Sequence, residues 1–112
     1  MNVELPKQPD LILIDDNKSL TRALEMQASL VEKKLAVFNG SRSFRENLHR
    51  YDKILPIYID SDLHEAITGE EFAKELYDLG FKNLYLITGY DVDAFGKMPW
   101  IKKILSKDAP LW

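Results

Sequence analysis

The sequence predicts an α/β fold, a single doubly wound parallel sheet of five strands within one domain. Two patterns and the chain length support this. Short runs that are apolar at every position alternate with segments of helical period, as in a parallel sheet covered on both faces. The three strongest apolar runs each end in a polar cluster. A length of 112 residues suits one compact domain and is short for two.

Apolar runs too short for a helix predict the strands in chain order. Four strands are expected at residues 11–14, 35–38, 54–59 and 84–87, of which the run at 35–38 is the weakest. A short edge strand is expected at 101–105, after Pro99 interrupts the chain. We expect residues 1–9, which contain two prolines, to be an irregular lead-in to a domain that spans 10–112.

Helical periodicity fills the first two intervals between strands. A helix is expected from about Asn17 to Lys33, and the residues predicted to share its main apolar face are Leu20, Leu24, Gln27 and Val31. A shorter second helix would begin at a cap formed by Ser41 or Ser43. Its predicted apolar face consists of Phe44, Leu48 and Tyr51.

A third helix is expected to begin at Gly69, with Glu70 and Glu71 in its first turn, and to stop at Gly80. The pattern weakens after Tyr90, so the fourth helix is predicted to be a single short turn. The sequence predicts no fifth helix.

Composition excludes several classes of function. Without cysteine there are no disulfides, thiolate metal sites or cysteine nucleophiles, and two histidines, His49 and His64, are too few for a histidine-rich metal site. The net charge of −3 and the lack of a basic tract argue against nucleic-acid binding. No apolar run approaches the roughly 20 residues that span a bilayer, and the N-terminus is unlike a signal peptide. We therefore expect a cytoplasmic protein that binds neither nucleic acid nor membrane.

Carboxylates are expected to gather at one edge of the sheet, because the carboxyl ends of parallel strands lie together. Asp15, Asp16 and Asp60 would meet there, with Thr88 beside them. Two like charges ~4 Å apart at an effective dielectric near 20 cost about 4 kcal/mol, so such a cluster needs a cation or strongly shifted pKa values. Oxygen-only sites of this kind suit Mg²⁺, and Lys107 adds a positive charge suited to phosphoryl oxygens. The pattern indicates phosphoryl transfer involving a carboxylate.

The segments LILIDDN, IYIDSD, LYLITGY and ILSKD resemble the receiver domain of two-component response regulators over roughly residues 9–110. The resemblance implies that Asp60 accepts a phosphoryl group from a sensor histidine kinase or a phosphotransfer protein. It also implies that Asp15, Asp16, Asp60 and the backbone carbonyl of Asp62 hold Mg²⁺. The domain would then be regulatory rather than an enzyme.

By the same resemblance, Thr88 would bond a phosphoryl oxygen and Lys107 would pair with Asp60 or its phosphate. The chain departs from the family pattern in the loop after Asp60, where the usual proline is absent and His64 stands in that area. We expect His64 to be an exposed loop residue. The short interval from Thr88 to Lys107 cuts down the fourth helix. With the fifth helix missing, one face of the sheet is undercovered.

That undercovered face suggests a homodimer or another partner interface. We expect Met98, Trp100 and Trp112 to lie in the core or to face a partner. The tail MPWIKKILSKDAPLW is similar to C-terminal receiver-like modules of hybrid sensor histidine kinases. One alternative is a pseudo-receiver that docks or dimerises without phosphorylation. Another is a Mg²⁺-dependent phosphohydrolase of the haloacid-dehalogenase type, suggested by Asp60-x-Asp62. Those enzymes, however, carry that motif on their first strand.

Overall fold

The computed structural model describes residues 7–109 and residue 111. Most of the predicted lead-in and Trp112 therefore lie outside the described residues. The described part forms one five-stranded sheet, all parallel, in the order β2-β1-β3-β4-β5. The strands are β1 (Leu11–Ile14), β2 (Leu35–Phe38), β3 (Ile57–Asp60), β4 (Leu84–Thr88) and β5 (Lys103–Ser106). The helices are α1 (Lys18–Leu30), α2 (Ser41–Arg45) and α3 (Gly69–Asp78), with 3₁₀ turns at Leu48–Arg50 and Val92–Ala94.

The predicted doubly wound parallel sheet is confirmed, with differences at the ends of the third, fourth and fifth strands. The third strand begins at Ile57 rather than at residue 54, because the chain turns before Pro56 and leaves the Ile54 side chain 72% exposed. The edge strand lies at Lys103–Ser106, so it begins two residues and ends one residue later than predicted. The third and fourth strands each end one residue later than predicted. The predicted reduction of the fourth helix is confirmed by the single 3₁₀ turn after β4. The described residues after β5 form no helix.

Helix α1 begins close to its predicted start, ends at Leu30 instead of about Lys33, and buries only part of its predicted apolar face. Asn17 caps it by accepting a hydrogen bond from the Leu20 amide at 3.1 Å. Its buried residues are Thr21, Leu24 and Ala28. The prediction for Gln27 and Val31 is wrong: both are exposed, and Val31 already follows the last helical residue. A spacing of three and four residues from Leu24 selects Thr21 and Ala28, and burial of their short side chains lets the helix lie close to the sheet.

Helix α2 is shorter than predicted and has no side-chain cap, so the prediction that Ser41 or Ser43 caps it is wrong. Ser41 is already the first helical residue. Its amide and hydroxyl both contact the Glu65 carboxylate, at 3.3 and 3.2 Å. The helix ends at Arg45, and Leu48 belongs to the separate 3₁₀ turn that follows.

Helix α3 begins and ends close to its predicted limits. Thr68 and Glu71 form a reciprocal capping box, in which the Thr68 hydroxyl accepts from the Glu71 amide at 3.2 Å. The helix terminates before Gly80, whose φ of +108° lies in the region that favours glycine. Trp100 covers the beginning of this helix and donates from Nε1 to the Glu70 carbonyl at 3.1 Å.

Alternate strand residues point to opposite faces of the sheet, and each face has its own core. The larger core packs against α2 and α3 and contains Ile12, Ile14, Phe44, Ile57, Ile59, Leu63, Phe72, Ala73, Leu76, Phe81 and Leu84. The smaller core packs against α1, and its buried members are Leu11, Leu13, Leu24, Tyr58 and Ile87. No helix in the described part of the chain is long and apolar enough to cross a bilayer.

The face of the sheet that packs against α1 carries two stacked tyrosines. The rings of Tyr58 and Tyr85 lie 4.6 Å apart at an angle of 8°. Leu111 packs against this smaller core, and the Tyr58 hydroxyl donates to the Leu111 carbonyl at 3.5 Å. The described residue nearest the end of the chain therefore covers part of the face.

Candidate functional site

Three carboxylates meet where β1 and β3 end, as the topology predicts. The two strands are neighbours, and Ile14 of β1 pairs in register with Ile59 of β3. The chain therefore places Asp15 and Asp16 beside Asp60, and one oxygen of each lies within 4.8 Å of the others. Two of these side chains are buried and Asp16 is partly exposed, so the cluster opens to solvent on one side.

Asp15 is the most enclosed member of the cluster. Its Oδ1 accepts a hydrogen bond from the Asn17 amide at 2.9 Å, whereas Oδ2 is buried and has no hydrogen-bond partner among the described residues. Burial raises the pKa of Asp15 to about 6, and the negative charge of Asp60 adds to that rise. A buried carboxylate oxygen without a donor is costly, so this atom indicates a position for a missing cation or donor.

Asp60 ends β3 and is paired with the lysine that the sequence predicts. Its side chain is 2% exposed, and its Oδ2 lies 3.1 Å from the Lys107 ammonium. Partial burial would by itself lower the pKa of Lys107, but the hydrogen bond and the charge of Asp60 outweigh it, and the pKa is raised. Asp60 Oδ1 accepts from the Asp62 amide at 3.1 Å, which fixes the orientation of the carboxylate.

Thr88 ends β4 next to the strand of Asp60, and its side chain is buried. Its Oγ1 accepts a hydrogen bond from the Tyr90 amide at 3.0 Å, and its carbonyl accepts from the Lys107 amide at 3.2 Å. The hydroxyl therefore already has a backbone partner. Thr88 is not among the residues that line the cavity of about 260 Å³ above Asp60, whereas Tyr90 and Lys107 are.

His64 takes a more specific position than the exposed loop residue that the sequence predicts. The side chain is 69% exposed, yet Nδ1 lies 2.7 Å from Asp16 Oδ2 and Nε2 lies 3.5 Å from Asp62 Oδ2. The hydrogen bond to Asp16, followed by the charges of Asp16 and Asp62, raises the pKa of His64. The only sequence signal for this contact is that the usual proline is absent from that loop and a histidine stands in that area.

The residues at this edge fit a divalent cation. The donor set is carboxylate oxygen, which Mg²⁺ and Ca²⁺ prefer over nitrogen or sulfur ligands. The orphaned Oδ2 of Asp15 supplies an acceptor that no described side chain satisfies. Lys107 neutralises Asp60 and His64 contacts Asp16, which leaves Asp15 without a cationic partner among the residues described.

The structure thus brings Asp15, Asp16, Asp60 and Lys107 together and places Thr88 at the adjacent strand end. The Asp62 side chain lies at the exposed rim, where its Oδ1 accepts from the His64 amide at 3.1 Å. Sequence reasoning missed the contact between His64 and Asp16. It also missed a second cavity beside the first, which forms where segment 61–70 meets Tyr90 and Phe95.

Comparison with protein-family models finds no match, and comparison with curated protein sequences finds none. Solved structures do resemble this chain. A response regulator receiver domain (CheY-like) from Methylobacillus flagellatus superposes with a TM-score of 0.72 at 14% identity, over 92% of this chain and 89% of that one. A receiver domain protein (CheY-like) from Methanospirillum hungatei JF-1 gives 0.73 at 13% identity, over 92% and 84%.

A third similar structure contains a modified aspartic acid and a metal ion. It is a response regulator protein from Burkholderia pseudomallei with a phosphorylated aspartic acid, a calcium ion and citrate. Its TM-score is 0.70 at 19% identity, over 91% of this chain and 61% of that one. These likenesses identify the fold as that of response regulator receiver domains. They do not bear on the similarity of the tail to hybrid histidine kinases, which stays a prediction.

Proposed function

From the receiver fold, we propose that the protein is a phospho-acceptor signalling domain in which Asp60 receives a phosphoryl group. The donor would be the phosphohistidine of a sensor histidine kinase or of a phosphotransfer protein. The observation that carries the proposal is the meeting of Asp60 with two further carboxylates and with Lys107 at the carboxyl edge of the sheet. We propose that the domain is regulatory and cytoplasmic, and that it is not an enzyme that turns over a substrate.

The proposed reaction moves one phosphoryl group between two side chains. A carboxylate oxygen of Asp60 attacks phosphorus, the phosphorus–nitrogen bond of the donor breaks, and the electron pair returns to the donor imidazole. Lys107 is placed to balance the charge of the acyl phosphate, since its ammonium already lies 3.1 Å from Asp60. Thr88 could still donate its hydroxyl proton to a phosphoryl oxygen, because Oγ1 only accepts a hydrogen bond from the Tyr90 amide.

The residues proposed to hold Mg²⁺ are Asp15, Asp16, Asp60 and the backbone carbonyl of Asp62. A bound Mg²⁺ would neutralise negative charge between these carboxylates and the incoming phosphoryl oxygens. Burial raises the pKa of Asp15 to about 6, so a bound cation would favour the ionised form that burial disfavours. The structural neighbour described with a phosphorylated aspartic acid and a calcium ion supports the proposal of a divalent ion in this fold.

The proposal is tested by intact-protein mass spectrometry after incubation with acetyl phosphate and Mg²⁺. We expect a gain of one phosphoryl group that is lost in Asp60→Asn and when the metal is chelated. Asp62→Asn is the matched control, because it changes an exposed neighbouring aspartate and keeps the backbone carbonyl. A mass gain that persists in Asp60→Asn would refute Asp60 as the acceptor. If the wild type shows no mass gain, binding of beryllofluoride would reveal an acceptor site whose phosphate is too labile to detect.

A pseudo-receiver that only docks is the second candidate. The observations that favour it are the Thr88 oxygen bonded to the Tyr90 amide and the His64 contact that occupies Asp16. If it is correct, neither millimolar Mg²⁺ nor beryllofluoride will shift the amide resonances of residues 15, 16 and 60.

Dimerisation through the face of Tyr58 and Tyr85 stays a prediction, checked by the molar mass in solution. No observation favours the phosphohydrolase.

A further inference from the structure

We propose that the cavity between the β3–α3 loop and the segment after β4 is a binding site for a guanidinium group. The cavity has a volume of about 330 Å³, at the lower end of the range of roughly 300–1,000 Å³ for small-molecule sites. Three carboxylates line it, and the described residues of its lining include no basic side chain. This inference goes beyond phosphorylation and does not require it.

Glu70 supplies the first observation that points to a ligand. Its Oε1 is buried and has no hydrogen-bond partner among the described residues. The neighbouring Glu71 forms the capping box at the start of α3, so the cap does not use the Glu70 side chain. A buried carboxylate oxygen with no donor is costly in the free protein, and a bound cation with N–H groups would remove that cost.

Ser61 supplies a second, independent observation. The residue is only 8% exposed, it lines the cavity, and its hydroxyl is buried without a partner. Both of its backbone groups are satisfied, since the amide donates to the Ile87 carbonyl at 2.8 Å and the carbonyl accepts from the Gly69 amide at 3.0 Å. Only the side-chain oxygen lacks a partner, so this wall of the cavity offers one more acceptor for a ligand.

The remaining lining decides which cation fits. Glu65 accepts hydrogen bonds from the amide and the hydroxyl of Ser41, and it also interacts electrostatically with Arg45. Tyr90 and Phe95 add aromatic rings to the lining. A guanidinium is planar, carries five N–H donors and stacks on aromatic faces, so it can reach separate acceptors and still cover a ring. An ammonium offers three donors around one point and fits such a dispersed set of acceptors less well.

A guanidinium could come from a small molecule or from an arginine side chain of a partner protein. The test therefore uses two probes, agmatine and the blocked tripeptide acetyl-Gly-Arg-Gly-amide, each titrated into the intact chain and followed by amide chemical shifts. The lysine tripeptide acetyl-Gly-Lys-Gly-amide is the comparison for charge alone. We expect saturable shifts around residues 61, 70 and 90 with at least one arginine-type probe, and weaker binding of the lysine peptide.

Variants separate this site from general charge attraction. Glu70→Gln keeps the shape of the side chain and should weaken binding about tenfold, as expected for loss of a charged hydrogen bond. Glu25→Gln makes the same change on the exposed side of α1 and should leave the dissociation constant unchanged. A thermal melt of each variant confirms folding.

Each result has a defined meaning. Binding of agmatine assigns a small-molecule site, whereas binding of the arginine peptide alone assigns a protein partner. Absence of saturable shifts with both probes would overturn the proposal, as would equal weakening by Glu70→Gln and Glu25→Gln. Because the titration involves neither Mg²⁺ nor a phosphodonor, its failure would not bear on phosphorylation of Asp60.

Discussion

His64 and Asp16 join two loops across the mouth of the acidic cluster, with Nδ1 2.7 Å from Asp16 Oδ2. His64 adopts a φ of +54°, which residues other than glycine rarely do. Its amide donates to Asp62 Oδ1 at 3.1 Å, which helps to hold this backbone in place. The loop after β1 is thereby tied to the loop after β3.

Replacing His64 with asparagine should lower stability only at acidic and near-neutral pH. Contact with Asp16 raises the pKa of His64 above 6.5, so the folded state holds the proton more tightly than the unfolded chain. This stabilisation is fully present below about pH 6.5 and is lost as the pH rises through the folded pKa. Thermal unfolding of the wild type, His64→Asn and His49→Asn across that window checks the prediction. A pH-independent effect of His64→Asn would contradict it.

Replacing Asp15 with asparagine should stabilise the metal-free protein at neutral pH. Because burial raises the pKa of Asp15 from 3.8 to about 6, ionisation opposes folding above that pH. We expect a gain on the order of 2 kcal/mol at about pH 7 that disappears below about pH 4, where both states are protonated. Urea unfolding with a chelator present measures it, and Asp93→Asn, an exposed aspartate, is the control. A loss of stability in Asp15→Asn would show that the charge is compensated.

Removing the Lys107 ammonium should destabilise the fold through Asp60. Lys107→Met leaves a buried carboxylate without its cation, and we expect a cost of about 2 kcal/mol. In an Asp60→Asn background the same change should cost much less. A double-mutant cycle by urea unfolding gives the coupling energy. Lys103→Met, at an exposed lysine on the strand that Lys107 follows, is the matched control. Additive effects of the two substitutions would mean that the pair contributes nothing.

A methyl group at Gly69 should disturb the end of β3. A Cβ there would overlap the Asp60 carbonyl and lie 2.8 Å from the Ser61 Cα, and backbone atoms cannot move aside as a flexible side chain can. We expect Gly69→Ala to cost roughly 2–3 kcal/mol. Gly89→Ala, where nothing lies within 4 Å, should be nearly neutral. The two midpoints of urea unfolding decide the matter, and equal midpoints would contradict the close approach.

Much of the fold follows from the sequence because hydrophobic runs and their intervals reflect it directly. β1 and β2 match their predicted ranges, since each is a four-residue apolar run bounded by polar residues. The start of the third strand was mispredicted because Ile54 and Leu55 are as apolar as the strand itself. Hydrophobicity does not report that a turn precedes Pro56 and exposes Ile54. The face of α1 was mispredicted for a similar reason, since Val31 is apolar but lies beyond the helix end.

The acidic cluster was predictable because topology alone places the ends of β1 and β3 together. The partners of its members were less so. The contact of His64 with Asp16 depends on a left-handed backbone conformation within a loop, for which the sequence gives no periodic signal. Whether the side-chain oxygens of Ser61 and Glu70 have hydrogen-bond partners depends on how the neighbouring residues pack around them. Such an absence is a property of the packed structure.

The position of Lys107 has a consequence for local dynamics. Lys107 directly follows β5, an edge strand that pairs with β4. β5 is the most exposed strand of the sheet, and the other edge strand, β2, is partly buried along its length. An edge strand with few buried side chains is where sub-global opening costs least free energy. Opening of β5 would withdraw the ammonium from Asp60 while the strands that bear the carboxylates stay folded. Amide hydrogen exchange in residues 103–107 would then be faster than in β1 and β3, and the charge balance of the site would fluctuate with that opening.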